Sequence, residues 1–213
     1  MRRGTSRALI VTGTDTGVGK TVVAAGLVQA LEGVYWKPVQ SGLDDETDSD
    51  AARRLSGRPV LPEIYRLSLP ASPHLSAEQE GVHISPDALA MPVVDGPLVI
   101  EGAGGVLVPL NRECLFVEMF RRWAAPVVLV ARTGLGTINH TLLSLEALRA
   151  RECRVAGVIF SGPANPDNEA TIAAMGRVRS LGRVPPLAPL NPDTLAAAFS
   201  GIDLAPVREA MSW

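Results

Sequence analysis

The chain has 213 residues, a formal net charge of −2, 46% apolar and 20% charged residues, values close to ordinary soluble usage. That length suits one α/β domain spanning 1–213, with a core large enough to fold unaided, and the near-neutral charge gives no reason to expect nucleic acid or an anionic membrane as partner. No apolar run approaches the roughly 18 residues of a membrane span, Met1-Arg2-Arg3 precedes no signal-type apolar stretch, and Cys114 and Cys153 stand in no metal-ligand spacing, so a reduced cytoplasmic protein is expected.

The first predicted strand, Leu9–Thr12, runs into Gly13-Thr14-Asp15-Thr16-Gly17-Val18-Gly19-Lys20-Thr21 and then a helical stretch, Val22–Leu31. Strand, glycine-rich turn, Gly-Lys-Thr and helix is the order that builds a P-loop. Small residues let backbone N–H groups turn inward on phosphate oxygens, and the helix N-terminus adds partial positive charge. Lys20 would reach the terminal phosphates and the Thr21 hydroxyl would ligate Mg²⁺. Gly13 stands one position further from Gly-Lys-Thr than in the common spacing, with five residues between it and Gly19.

The second predicted strand, Val34–Val39, leads to Gln40-Ser41-Gly42 and carries Lys37. At the carboxyl end of a parallel sheet, Lys37 would supply charge where anions meet and Ser41 could hydrogen-bond a substrate. From spacing alone, an exposed lysine and a turn serine fit equally well. The acidic run Asp44, Asp45, Glu46, Asp48 and Asp50 opens a predicted helix, Asp48–Leu55, where negative charge complements the dipole. One of these carboxylates could complete a magnesium site. Gly57 to Pro97 holds seven prolines (Pro59, Pro62, Pro70, Pro73, Pro86, Pro92 and Pro97) and is expected to be an irregular excursion with short helices.

Leu98–Glu101 is a third strand, and Glu101 at the end of an apolar run has the Walker-B placement, with Gly102-Ala103-Gly104-Gly105 allowing close backbone approach to a ligand. The remaining strands are Val127–Ala131, Val155–Phe160 and a short one near Arg183–Pro185; helices are expected at Phe116–Trp123, Ile138–Ala150, Asn168–Ser180 and after Asn191-Pro192-Asp193. This alternation predicts an α/β fold: a P-loop NTPase-like parallel β-sheet with helices on both faces, in three layers. His140 has no carboxylate or serine partner in view, and His74 and His83 carry no independent signal.

Five ordered motifs together resemble dethiobiotin synthetase, an ATP-dependent family of biotin biosynthesis: Gly13 to Thr21, Lys37-Pro-Val-Gln-Ser-Gly42, Ser72-Pro-His74, Glu101-Gly-Ala-Gly-Gly105 and Gly136-Thr-Ile-Asn-His140. The resemblance covers nearly the whole chain and implies that 7,8-diaminopelargonate, CO₂ and MgATP give dethiobiotin, ADP and phosphate through a carbamate and its phosphoric anhydride. It makes Lys20 and Lys37 the catalytic residues and assigns Thr21, Asp50 and Glu101 to Mg²⁺, Asp50 through Ser49-Asp50-Ala51. It assigns the nucleotide to Gly17, Val18, Gly19, Lys20, Thr21, Val22, Asp50, Glu101, Gly102, Ala103 and Gly104, with Ser161, Gly162, Pro185, Pro186, Leu187 and Asp193 around the base. Substrate falls to Thr16, Lys37 and Ser41, and a homodimer is implied, in which Ile138 and Asn139 of the second copy cap the substrate's distant carboxylate.

Several positions depart from that pattern. Gly17 stands where several members carry a glutamate, Ser161-Gly162 replaces an adenine-reading Asn-Asp pair, and Asp193 replaces a glutamate, so CTP or relaxed nucleotide use is open beside ATP. Two rival readings fit less well. Cobyrinate-type amide synthases carry a glutamine-amidotransferase domain for which 213 residues leave no room. Partition-type ATPases carry a second P-loop lysine where Asp15 stands.

Overall fold

The computed structural model describes residues 7–212; the Met1-Arg2-Arg3 tail lies outside them. Six parallel strands form the central sheet: β1 (Arg7–Gly13), β2 (Val34–Trp36), β5 (Pro97–Gly105), β6 (Val127–Arg132), β7 (Val155–Ser161) and β8 (Ser180–Val184), in the order β2-β5-β1-β6-β7-β8. Each is a run of β-branched and apolar residues that can be covered on both faces. Along β1, Ala8 and Ile10 enter one core cluster while Leu9 and Val11 enter the other, as strand alternation requires.

Against the Leu9/Val11 face pack α1 (Lys20–Ala30), α2 (Asp48–Ser56), α7 (Pro192–Phe199) and α8 (Ala205–Ala210), through Val23, Leu27, Leu55, Leu195, Phe199 and Val207. Against the other face lie α3 (Pro73–Gln79), α4 (Phe116–Trp123), α5 (Thr137–Arg149) and α6 (Pro166–Gly176), through Ala77, Phe116, Phe120, Leu145 and Ile172. This is the expected three-layer α/β arrangement. Because β5 and β6 flank β1 on opposite sides, the crevice for a ligand opens at the carboxyl end of β1. Among the described residues no helix is long and apolar enough to cross a membrane.

Several elements differ from the sequence reading. The strand expected over 34–39 breaks at Lys37-Pro38: proline has no N–H for the ladder, and the chain leaves β5 to form β3 (Val39–Ser41), paired in parallel with β4 (Tyr65–Leu67). The proline-rich excursion therefore contains a strand as well as α3 and one 3₁₀ turn at Pro86–Ala88. Helix α6 starts earlier than expected because Asn165 caps it and Pro166 takes its first position, and it ends at Gly176, so that Ser180 already belongs to β8. Helix α8 carried too short an apolar signal to be read.

Candidate active site

The loop after β1 delivers Gly19 as the cap of α1, in a left-handed conformation with φ of 90°. A side chain there would be strained, and its Cβ would fall 2.5 Å from the Ser161 hydroxyl, so glycine is needed twice over. Gly17 is also left-handed, at φ +70°, with open space around it. Lys20, the first residue of α1, folds back so that its Nζ donates to the Asp15 carbonyl at 2.8 Å. The Asp15 side chain is held by Arg132 at the end of β6, 2.8 Å away. Burial pulls the Lys20 ammonium down to about 8; the charges of Glu101, Asp48 and Asp15 oppose that, while Lys37 adds to it. Val18 packs into the core and Val22 against it, so each could meet a nucleotide only through its backbone.

One turn of side chains closes the floor of the crevice. Trp36 pairs with Ile100 across the β2/β5 ladder, which sets Lys37 beside Glu101. Lys37 is 4% exposed, and its Nζ lies 2.5 Å from Asp48 Oδ2 and 3.2 Å from Glu101 Oε1. Burial alone would lower it, but the two carboxylates outweigh that and raise it above the ordinary lysine value. Burial likewise pushes Asp48 up, and Lys37, with a hydrogen bond from Thr21, more than reverses it. The Thr21 hydroxyl sits 2.8 Å from Asp48 Oδ1 and 3.0 Å from Glu101 Oε1; its single hydrogen serves one of them at a time. The other Glu101 oxygen accepts from the Tyr35 hydroxyl at 2.8 Å. Burial, then the Glu101 charge, pushes Tyr35 far up, so it stays a donor.

Lys20, Thr21, Lys37, Asp48 and Glu101 line a cavity of 620 Å³ with Thr16, Gly17, Gly19, Gln40, Ser41, Ala103 and Gly104. The Ser41 hydroxyl is buried and has no hydrogen-bond partner among the described residues. Gly102 does not line the cavity: it lies between Phe120 and Thr12, where a Cβ would come within 3.1 Å of the Phe120 ring.

The assignment of Asp50 requires correction. Asp50 is the third residue of α2, its amide donates to the Thr47 cap, and its half-exposed carboxylate accepts from Thr47 and Arg53. Asp48, at the first helical position, is the carboxylate that turns inward. The signal was present: Thr47-Asp48-Ser49-Asp50 has the spacing of a capping box, which commits the last residue to the cap. Gln40 reinforces the arrangement by accepting the Asp48 amide at 3.3 Å. Glu46 forms a two-bond pair with Arg54 and stays outside the cavity.

Ser161, Gly162, Pro185, Pro186, Leu187 and Asp193 lie at the carboxyl ends of β7 and β8 and the start of α7, outside the cavity. Ile138 is half-buried against the core and Asn139 is exposed, and neither reaches the cavity of its own chain. Sequence reasoning missed a second groove of 420 Å³, lined by Val106, Leu107, Val108, Leu143 and Ala147 and sharing Thr16 and Val108 with the cavity.

A set of hard oxygen donors beside a lysine-bearing P-loop is a site for a triphosphate. The chain matches the AAA domain family over residues 7–194. It is 60% identical to an ATP-dependent dethiobiotin synthetase of Rhodopseudomonas palustris (strain BisA53), over 92% of this chain and 93% of that one. It is 58% identical to the enzyme of that name from Brucella anthropi, over 91% and 93%. The chain belongs to the dethiobiotin synthetase family. Like the other members it is an ATP-dependent enzyme. Among solved structures, a ParA family ATPase from Chlorobium tepidum is similar with a TM-score of 0.56, at 12% identity and 97% coverage of both chains, which speaks to the P-loop fold alone.

Proposed function

We propose that the protein closes the ureido ring of dethiobiotin from 7,8-diaminopelargonate and CO₂ at the expense of ATP. The observation that carries this reading is the buried meeting of Lys37, Thr21, Asp48 and Glu101 on the floor of the cavity, one helical step from Lys20. Such a site offers positive charge and hard oxygens and no nucleophile, which suits transfer of a phosphoryl group to an anion.

One amine of the substrate captures CO₂ as a carbamate and releases a proton. A carbamate oxygen then attacks the γ-phosphorus, the bond to ADP breaks, and the carbonyl carbon gains a leaving group. The second amine attacks that carbon, phosphate departs, and the ring closes with loss of another proton. Lys20 reaches the terminal phosphates, and Lys37 bridges the carbamate and the transferring group. Ser41 and Thr16 orient the amine end. The 420 Å³ groove that opens beyond Thr16 suits the aliphatic chain.

The residues fit Mg²⁺. Among the described residues no group of three or more His, Cys, Asp or Glu side chains gathers as a metal cage. Few protein oxygens with room for phosphate and water is how Mg²⁺ binds beside a nucleotide. Thr21, Asp48 and Glu101 would hold it, with Asp48 in the place given to Asp50 from sequence. When bound, the ion neutralises charge on the β- and γ-phosphates.

The reading includes a homodimer. Leu107, Leu135 and Leu143 are exposed around the groove and α5, an apolar surface that a second copy would cover while bringing its Ile138 and Asn139 to the substrate's carboxylate. A monomer in sedimentation at working concentration would remove that element. The reaction itself is tested by phosphate release from MgATP with and without 7,8-diaminopelargonate and bicarbonate, with the product identified by mass. Diamine-dependent release with dethiobiotin mass is the expected result; release that ignores the diamine would overturn the assignment.

A further inference from the structure

Tyr35 touches the carboxylate floor, yet phosphoryl transfer does not call for it. It is fully buried, it sits on the α1 face of the sheet with Val99 as register partner, and Glu101 lies two residues further along β5 on that same face. Its neighbour Trp36 faces the other way and packs against Trp123 with ring centroids 5.7 Å apart. The aromatic pair on one face thus fixes which way Tyr35 points on the other. The hydroxyl lies 2.8 Å from Glu101 Oε2, while Oε1 turns to Thr21 and Lys37.

A carboxylate can hold a cation through one oxygen or through both. Mg²⁺ demands near-ideal octahedral geometry and takes one oxygen from a carboxylate; Ca²⁺ accepts more ligands and takes both where they are offered. With Oε2 held by a buried donor, Glu101 has only Oε1 to present. We propose that Tyr35 is a positioning and specificity-determining residue that makes Glu101 a one-oxygen ligand and thereby selects Mg²⁺ over Ca²⁺. The proposal rests on the assignment of Glu101 to the divalent cation.

The experiment is a calorimetric titration of the ADP-loaded protein with Mg²⁺ and with Ca²⁺, for wild type, Tyr35→Phe and Glu101→Gln. Tyr35→Phe is expected to lower the Mg²⁺-over-Ca²⁺ affinity ratio by about tenfold, the scale on which a partner hydrogen-bonded to a metal ligand acts. Its affinity for ADP without metal should stay unchanged, which loss of structure alone would not produce. An unchanged ratio in Tyr35→Phe, with both affinities reduced in Glu101→Gln, overturns the role of Tyr35 and leaves the metal assignment standing. Unchanged affinities in Glu101→Gln overturn both. If Tyr35→Phe does not fold, the carboxylate infrared bands of the wild type decide, with those of Glu101 identified by difference from Glu101→Gln. Single-oxygen splitting with either cation supports the proposal, and a two-oxygen signature with Ca²⁺ overturns it.

Discussion

Two corners at the carboxyl edge of the sheet are built differently. At the phosphate end, Lys20, Lys37 and Glu101 are 7%, 4% and 1% exposed; Lys37 meets Asp48 at 2.5 Å and Glu101 at 3.2 Å, and Lys20 donates to the Asp15 carbonyl at 2.8 Å. At the β7/β8 end, Pro185, Pro186 and Asp193 are exposed, and several polar groups nearby are already paired within the protein. The Gly162 amide donates to Val184 and its carbonyl accepts from Arg183, while the Asn165 and Asn168 amides both donate to the Thr133 carbonyl. One corner is preorganised for charge at low dielectric; the other has most of its backbone polar groups already paired. On the proposed reading, chemistry is held in the buried network and nucleotide choice is left to backbone and shape.

The sharpest way to break it is Lys37→Ala. If the network does the chemistry, turnover should fall by about 10²–10³-fold, as when one transition-state donor is removed, while ADP affinity measured by calorimetry is retained. Turnover within a few fold of wild type would remove Lys37 from the reaction. Asp48→Asn and Asp50→Asn divide the acidic run next. Asp48→Asn should lower kcat by about 10–100-fold and raise the Mg²⁺ concentration needed for half-activity. Asp50→Asn should leave kcat alone and cost about 1 kcal/mol or less of stability through the weakened helix cap, read as a small drop in Tm. The reverse pattern would return the metal to Asp50.

How much of this was legible depended on whether the signal was local. The P-loop, the Glu101 placement and the three-layer sheet follow from runs of neighbouring residues, and the structure places Lys20, Thr21 and Glu101 together as the motifs imply. Asp48 was visible as one of five acids, and only the capping geometry of Thr47 and Asp50 singles it out. Tyr35 was not legible, because its partner stands 66 residues away and meets it only through the β2/β5 register. The second groove was missed for the same reason: β5's exit and α5 bring Val106, Leu107 and Leu143 together across the fold.

A smaller effect distinguishes the two lysines by protonation. Lys20 is lowered from 10.5 to about 8, so between those values the unfolded chain holds a proton that the folded chain has lost, and stability of the ligand-free protein rises with pH across that window. Lys37 is raised, so its contribution is fully present below the ordinary lysine value and is lost only as pH climbs through its higher folded value. Nucleotide phosphates restore a counter-charge to Lys20. Near pH 8.5, ADP binding should therefore take up a fraction of a proton, read from the dependence of binding heat on buffer ionisation heat. Lys20→Met should abolish the uptake, and uptake that persists in that variant would place it elsewhere.

The smallest effect tests the β7/β8 corner. A site that hydrogen-bonds a base edge with buried groups rejects analogues by orders of magnitude, whereas one that offers shape alone discriminates by about 10–100-fold at most. Here the hydroxyl of Ser161 leans on Gly19, the Gly162 backbone is paired within the protein, and the Asn165 and Asn168 side-chain amides are both spent on the Thr133 carbonyl. The kcat/KM values for ATP, CTP and GTP should accordingly differ by less than about 100-fold. Ser161→Asn would put an amide at the end of β7 and should raise the preference for ATP severalfold, the scale of one neutral hydrogen bond of about 1 kcal/mol. A wild-type preference for ATP of 10⁴-fold or more would mean that the base is read by groups outside this corner, and the division between a chemical end and a permissive end would fall.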